Sequence, residues 1–154
     1  MSNRIESTIY NNRLRNKRSI TVFINGGDPN LETTRELILC CAKLGVDIIE
    51  LGVPFANSIT DGATILRSHQ RAIDNGVTFH AVLELVRQVR KETDIPIVLL
   101  ADFSHTVKPI GLSNFIRDCA NTEIDGVLLH GLPPLYGDEL LKLCHAAKLG
   151  LIAS

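Results

Sequence analysis

The stretch IIELGVPFANSITDG, residues 48–62, places one carboxylate inside an apolar run and then interrupts that run with a turn. The run VDIIEL predicts a β-strand, GVPFANSIT predicts the loop that follows it, and a helix is expected to begin near Asp61. Glu50 lies between Ile49 and Leu51, so strand alternation directs its side chain to the face opposite theirs. The stretch therefore predicts a strand–loop–helix unit with a partly shielded carboxylate near the end of the strand.

The same alternation of strands and helices continues on both sides of this stretch. Apolar and β-branched runs bounded by turn residues predict strands at 19–24, 46–51, 95–101, 124–129 and 151–154. Amphipathic spacing and capping residues predict helices at 4–16, 31–45, 61–76, 78–93, 112–121 and 136–150.

Two of these helices carry more specific expectations. In the helix at 31–45, the apolar residues at helical spacing are Leu37, Ile38, Cys41 and Leu44. Thr78 is the expected N-cap of the helix at 78–93.

Strands that alternate with helices imply a parallel sheet joined by right-handed crossovers. An open doubly wound sheet and part of a (β/α)₈ barrel both fit this pattern. The turn NGGDPN after the first strand lacks the GxGxxG of a dinucleotide-binding sheet, which favours the barrel. Because a complete barrel takes about 250 residues, the 154 residues predict a partial one. We expect an N-terminal helix, about four βα units and the start of a fifth strand, in one truncated domain spanning residues 1–154.

Composition narrows the class of protein. Sixteen basic and seventeen acidic side chains give a net charge of −1, which argues against nucleic-acid binding. The one local basic excess, NNRLRNKR at 11–18, is best explained as the solvated end of the first helix. No apolar run approaches the ~20 residues of a membrane span. The four cysteines form no CxxC pair, so we expect reduced thiols and a cytoplasmic protein without membrane contact.

Polar residues collect where the predicted parallel strands end, namely Asp28, Glu50, Asp61, Asp102 and His130. In a (β/α)₈ barrel this face holds the active site. A partly shielded carboxylate such as Glu50 suits a group that both gives and takes a proton near neutrality. The five histidines show no metal-ligand spacing such as HExxH, so a metal site is not expected.

Each carboxylate also has a purely structural interpretation. Glu50 could be an edge carboxylate on a half-exposed strand, although the apolar run around it favours function. Asp61 could serve only to favour the first turn of its helix, and the two interpretations stay even. Asp28 precedes Pro29 in a common turn pair, which favours a structural role.

Two segments resemble the tryptophan synthase alpha chain family. FINGGDPN, residues 23–30, is similar to that family's first-strand turn, and residues 48–62 are similar to its signature segment. The segments GVT, IPIVLL and DGVLLHGLP follow in the family's order. The similarity covers nearly the whole chain and about the N-terminal half, or slightly more, of a family member.

The resemblance implies a (β/α)₈ barrel that cleaves indole-3-glycerol phosphate to indole and glyceraldehyde 3-phosphate in tryptophan biosynthesis. By this resemblance Glu50 is the proton-transferring glutamate, Asp61 accepts from the indole N–H, and Phe23 and Asp102 belong to the substrate-binding set. The reaction needs no metal or organic cofactor. The implied partner is a β chain that uses pyridoxal phosphate.

The chain departs from the family pattern at three places. Residues 56–58 read ANS where the family has Ser-Asp-Pro, Asp102 stands where a tyrosine is expected, and Gly131 replaces an interface aspartate. The family holds the substrate phosphate with later strands. Unpaired strand edges favour association with another chain, so we expect self-association or a β-chain complex. The alternative to a lyase is a non-catalytic half-barrel that binds a β chain or another barrel.

Overall fold

A computed structural model describes residues 3–153 of the chain. Its strands form one parallel sheet in the order β1-β2-β3-β4-β5, which is also the order of the sequence. The strands are β1 (Thr21–Asn25), β2 (Ile48–Gly52), β3 (Ile97–Asp102), β4 (Gly126–His130) and β5 (Gly150–Ile152). The predicted fifth strand is present, although its predicted last residue, Ser154, lies outside the described residues.

Helices connect the strands, as the sequence predicts. They are α1 (Arg4–Leu14), α2 (Leu31–Lys43), α3 (Ala63–Asp74), α4 (Phe79–Val89), α5 (Lys108–Ile110), α6 (Leu112–Ala120) and α7 (Gly137–Ala147). The Thr78 cap is confirmed, because its Oγ1 accepts from the Ala81 N–H at 3.2 Å. A π-helical turn, Phe103–Val107, was not predicted. The partial (β/α)₈ architecture is confirmed.

The apolar face predicted for α2 is wrong in part. Ile38 is fully buried, but Leu37 and Leu44 are 44% and 79% exposed. Thr34 is buried instead, and its hydroxyl accepts from the Gly27 N–H at 2.9 Å. Thr34 and Ile38 are therefore the residues of α2 that face the sheet. A threonine can be buried there because its hydroxyl accepts a hydrogen bond from a backbone N–H of the β1 turn.

The two faces of the sheet bury different residues. One face, with Ile49, Leu51 and Leu99 fully buried, packs against the helices. The other, here called the inner face, carries a smaller cluster that includes Ile5 of α1 and is completed by Ile48, Val98, Leu100 and Leu128. Strand alternation creates this division. Beyond Ile5 and Ile48, toward the carboxyl ends of the strands, the inner face also carries polar side chains.

A buried ion pair ties α1 and α4 to the start of β4. Asp125 accepts from Arg90 at 2.6 Å, from Arg4 at 3.0 Å and from the Ile97 N–H at 2.8 Å. The side chains of Arg90 and Asp125 are 5% and 4% exposed. This clamp lies at the end of the sheet opposite the strand ends that carry the polar residues.

Candidate active site at the carboxyl ends of the strands

A cavity of about 380 Å³ opens where β1, β2, β3 and β4 approach their carboxyl ends. It is lined by residues of these strands and of the β2–α3 segment: Phe23, Glu50, Asp61, Ile65, His69, Leu100, Leu128 and His130. Two carboxylates and two imidazoles thus share a pocket with otherwise apolar walls. Such a mixture of apolar lining and a few convergent polar groups is typical of a small-molecule site.

Glu50 lies on the inner face, as the alternation predicts. Its neighbours Ile49 and Leu51 are fully buried on the helix-covered face, whereas Glu50 itself is half-buried and lines the cavity. In the sheet it lies opposite Phe23 of β1 and Val98 of β3. Apolar side chains on both flanking strands therefore shield the carboxylate from part of the solvent.

Asp61 reaches the same cavity from the loop before α3. The N-cap of α3 is Gly62, which has no side chain to cap the first turn of that helix. Asp61 Oδ2 lies 3.3 Å from Nε2 of His69 instead. The carboxylate is thus directed by a side chain two turns into the helix.

His69 was not singled out from the sequence. It is 3% exposed, lines the cavity, and packs against the ring of Phe55 with centroids 4.7 Å apart. Its spacing from Ile65 and Ala72, at i+4 and i+3 on α3, marks the inward face of an amphipathic helix. That spacing is the signal that could have found it.

Phe23 and His130 form two further walls. The Phe23 ring is 39% exposed and lies so close to Gly52 that a Cβ there would be 3.0 Å from it. His130 ends β4, opposite Asp102 at the end of β3. The predicted contact residue Phe23 is therefore at the cavity.

Asp102 is placed differently from the other predicted site residues. Its Oδ1 accepts from the His105 N–H at 2.8 Å and lies 2.7 Å from His105 Nδ1, so it opens the π-helical turn. It is not among the residues that line the cavity. Its assignment to the substrate stays a prediction.

Asp28 serves the scaffold of the site. Arg71 of α3 donates to both of its carboxylate oxygens, at 2.7 and 2.6 Å, and Ser68 donates to it at 2.5 Å. The Arg71 hydrogen bonds hold the pKa of the Asp28 carboxyl below its ordinary value. The ion pair ties the β1 turn to α3, the helix that carries His69.

Within residues 3–153, no group of three or more His, Cys, Asp or Glu side chains is arranged to hold a metal ion. In the same part of the chain, no helix has the length and apolar character needed to cross a membrane. All four cysteines are free, and burial raises the pKa of the Cys144 thiol to about 11.

Comparison with known proteins assigns the chain to a family. The family model for the tryptophan synthase alpha chain matches residues 9–153. The chain belongs to the tryptophan synthase alpha chain family. The family resemblance predicted from the sequence is thereby confirmed.

Curated alpha chains are similar along nearly the whole of this chain. The alpha chain of Geotalea uraniireducens (strain Rf4) is 42% identical over 149 residues, which are 97% of this chain and 55% of that protein. The alpha chain of Caldanaerobacter subterraneus subsp. tengcongensis is 34% identical over 150 residues, 97% of this chain and 57% of that protein. The chain thus spans about half the length of the alpha chains it matches.

Solved structures give the same result for the fold. The crystal structure of tryptophan synthase subunit alpha from Legionella pneumophila str. Paris matches with a TM-score of 0.90 at 30% identity, covering 98% of this chain and 58% of that one. The tryptophan synthase complex from Pyrococcus furiosus matches with a TM-score of 0.81 at 28% identity, covering 86% and 55%. The five strands therefore correspond to part of a tryptophan synthase alpha chain barrel.

Proposed function

We propose that the chain carries the acid–base part of a tryptophan synthase alpha-type lyase site. The reaction is the retro-aldol cleavage of indole-3-glycerol phosphate to indole and glyceraldehyde 3-phosphate. Family membership supports the reaction class. The observation that carries the proposal is that Glu50 and Asp61, which lie on different elements, line one cavity.

Glu50 is the proton-transfer group in this proposal. Its carboxyl protonates the indole ring carbon that bears the side chain, which makes the ring an electron sink. The carboxylate then takes the proton of the adjacent side-chain hydroxyl. The carbon–carbon bond breaks, its electron pair returns to the ring, and the hydroxyl carbon becomes the aldehyde of the triose phosphate. A half-buried carboxylate between apolar walls suits this exchange.

Asp61 has the complementary role. It stays ionised and accepts a hydrogen bond from the indole N–H, where positive charge develops once the ring is protonated. A fixed negative charge aimed at that charge lowers the barrier. Phe23, Leu100 and Leu128 supply apolar surface for the ring.

Two carboxylates alone do not hold the remote phosphate. Binding of such a non-reacting group contributes to transition-state stabilisation, so we propose that the chain works with further polypeptide, a β chain or a second copy.

We also propose that the protein is cytoplasmic, as expected for thiols that stay reduced.

A non-catalytic half-barrel is the second candidate. It is favoured by the two edges of the sheet. Within the described residues, β1 pairs with β2 alone and β5 pairs with β4 alone. Such edges present unpaired backbone groups to another chain. In this reading the chain binds a β chain or another barrel and releases no indole.

An indole-release assay separates the two candidates. Purified chain is incubated with indole-3-glycerol phosphate, alone and with an added tryptophan synthase β chain, and its association state is measured by sedimentation. Indole formation above the rate of a protein-free control supports the lyase. Complex formation without indole under either condition supports the binding role and overturns the lyase.

A further inference from the structure

His69 is the buried link between the loop that carries Asp61 and the body of the protein. Residues 56–62 run over the surface, where Ile59 is 98% exposed. His69 is 3% exposed and belongs to α3, which the Asp28–Arg71 ion pair fixes to the β1 turn. The 3.3 Å contact between His69 Nε2 and Asp61 Oδ2 therefore joins an exposed segment to a fixed one.

The tautomer of His69 decides how this contact is made. An ionised carboxylate only accepts hydrogen bonds, so Nε2 must carry the proton and donate it. The other ring nitrogen, Nδ1, is buried and has no hydrogen-bond partner among the described residues. With the proton on Nε2, Nδ1 is an acceptor and carries no N–H. The packed ring of Phe55, 4.7 Å from the imidazole, holds it in this orientation.

We infer that His69 is a positioning residue for Asp61: it holds Oδ2 so that the carboxylate accepts the N–H of an indole-type ligand in the cavity. The inference rests on the proposed role of Asp61. His69 occupies one carboxylate oxygen and directs the other, Oδ1, at the ligand. His69 acts on the ligand through Asp61 and transfers no proton itself.

Binding of indole and N-methylindole tests the inference, because the methyl group removes the N–H that Asp61 is proposed to accept. The probes are these two compounds alone, and the readout is the ratio of their dissociation constants, measured by calorimetry. A hydrogen bond to a charged acceptor predicts that wild type prefers indole about tenfold. Asp61→Asn should lower this preference toward unity.

Two matched variants separate positioning from packing. Gln and Met are similar in length and volume, but only the Gln side chain keeps an N–H near the position of Nε2. His69→Met should reduce the preference to about twofold, and His69→Gln should retain most of the tenfold ratio. If His69→Met keeps the wild-type ratio while Asp61→Asn loses it, the inference fails and the proposed role of Asp61 stands. If wild type shows no preference, both fail.

The tautomer of His69 gives a second measurement on the unaltered protein. A long-range nitrogen–proton NMR correlation spectrum, assigned with His69→Gln, should show the proton on Nε2. Asp61→Asn should weaken that preference. A wild-type ring with its proton on Nδ1 would overturn the inference, even if the Met variant failed to fold.

Discussion

Arg90 donates to Asp125 across 2.6 Å, and the two side chains are among the most buried charges of the described chain, at 5% and 4% exposed. The same carboxylate receives Arg4 of α1 and the Ile97 N–H of β3. Three elements thus meet at one aspartate, at the end of the sheet away from the cavity. The residues around Asp125, which stabilise the fold, therefore lie apart from the residues that line the cavity.

Replacement of Asp125 by Asn should destabilise the protein strongly. It leaves the Arg90 guanidinium buried without its counter-charge, which costs about 3–5 kcal/mol. Urea unfolding monitored by circular dichroism measures the loss. Glu84→Gln is the matched control, because its ion pair with Arg87 is exposed and is worth less than about 1 kcal/mol. Similar losses for the two variants would refute the role of the clamp.

The Asp28–Arg71 pair predicts a dependence of stability on pH. The Arg71 hydrogen bonds lower the folded-state pKa of Asp28, so the unfolded state binds this proton more readily than the folded state. The contribution is fully present above the unfolded pKa of about 3.9. It is lost as the pH falls through the folded value.

Asp28→Asn tests this pH dependence. The wild type should be more stable than the variant at pH 7, and the difference should shrink as the pH drops below about 3.9. Chemical unfolding across this range measures it. A difference that stays constant with pH would show that the Asp28 carboxylate contributes through shape and not through charge.

Gly52 is predicted to matter because it lies against Phe23. A Cβ added at Gly52 would lie 3.0 Å from the Phe23 ring. A Cβ added at Gly26 would lie 2.9 Å from the Gly52 carbonyl oxygen, so the chain segments at the ends of β1 and β2 are close together here. Gly52→Ala should displace the half-exposed ring and weaken indole binding by several-fold, about 1 kcal/mol. Gly137→Ala, with nothing within 4 Å of its Cβ, should leave binding unchanged. Calorimetry measures the affinity for indole. Equal affinities of wild type and Gly52→Ala would show that the position of Phe23 does not contribute to indole binding.

Several features of this fold could be predicted because local rules decide them. Alternation within VDIIEL placed Glu50 on the face opposite Ile49 and Leu51, and the structure has it there. The Thr78 cap needs only its own hydroxyl and the backbone three residues later. The parallel direction of the strands follows from their alternation with helices.

Other features depended on contacts that the sequence does not display. The inward line of α2 includes Thr34, because that hydroxyl serves the Gly27 N–H of another segment. The contact of His69 with Asp61 depends on the path of residues 56–62, which no periodicity specifies. Asp102, whose assignment to the substrate stays a prediction, lies within hydrogen-bond distance of His105 on the π-helical turn that was not predicted. The contacts of Thr34 and His69 therefore depend on how separate segments of the chain come together.

The central claim is that Glu50 transfers the proton that allows the carbon–carbon bond to break. The most direct test compares the rate of indole release by wild type, Glu50→Gln and Glu36→Gln under one set of conditions, with the β chain present. Glu36 is an exposed carboxylate on α2, remote from the cavity lining. The account predicts that Glu50→Gln loses at least about a hundredfold in rate while Glu36→Gln matches wild type. Indole release by Glu50→Gln at the wild-type rate would contradict it.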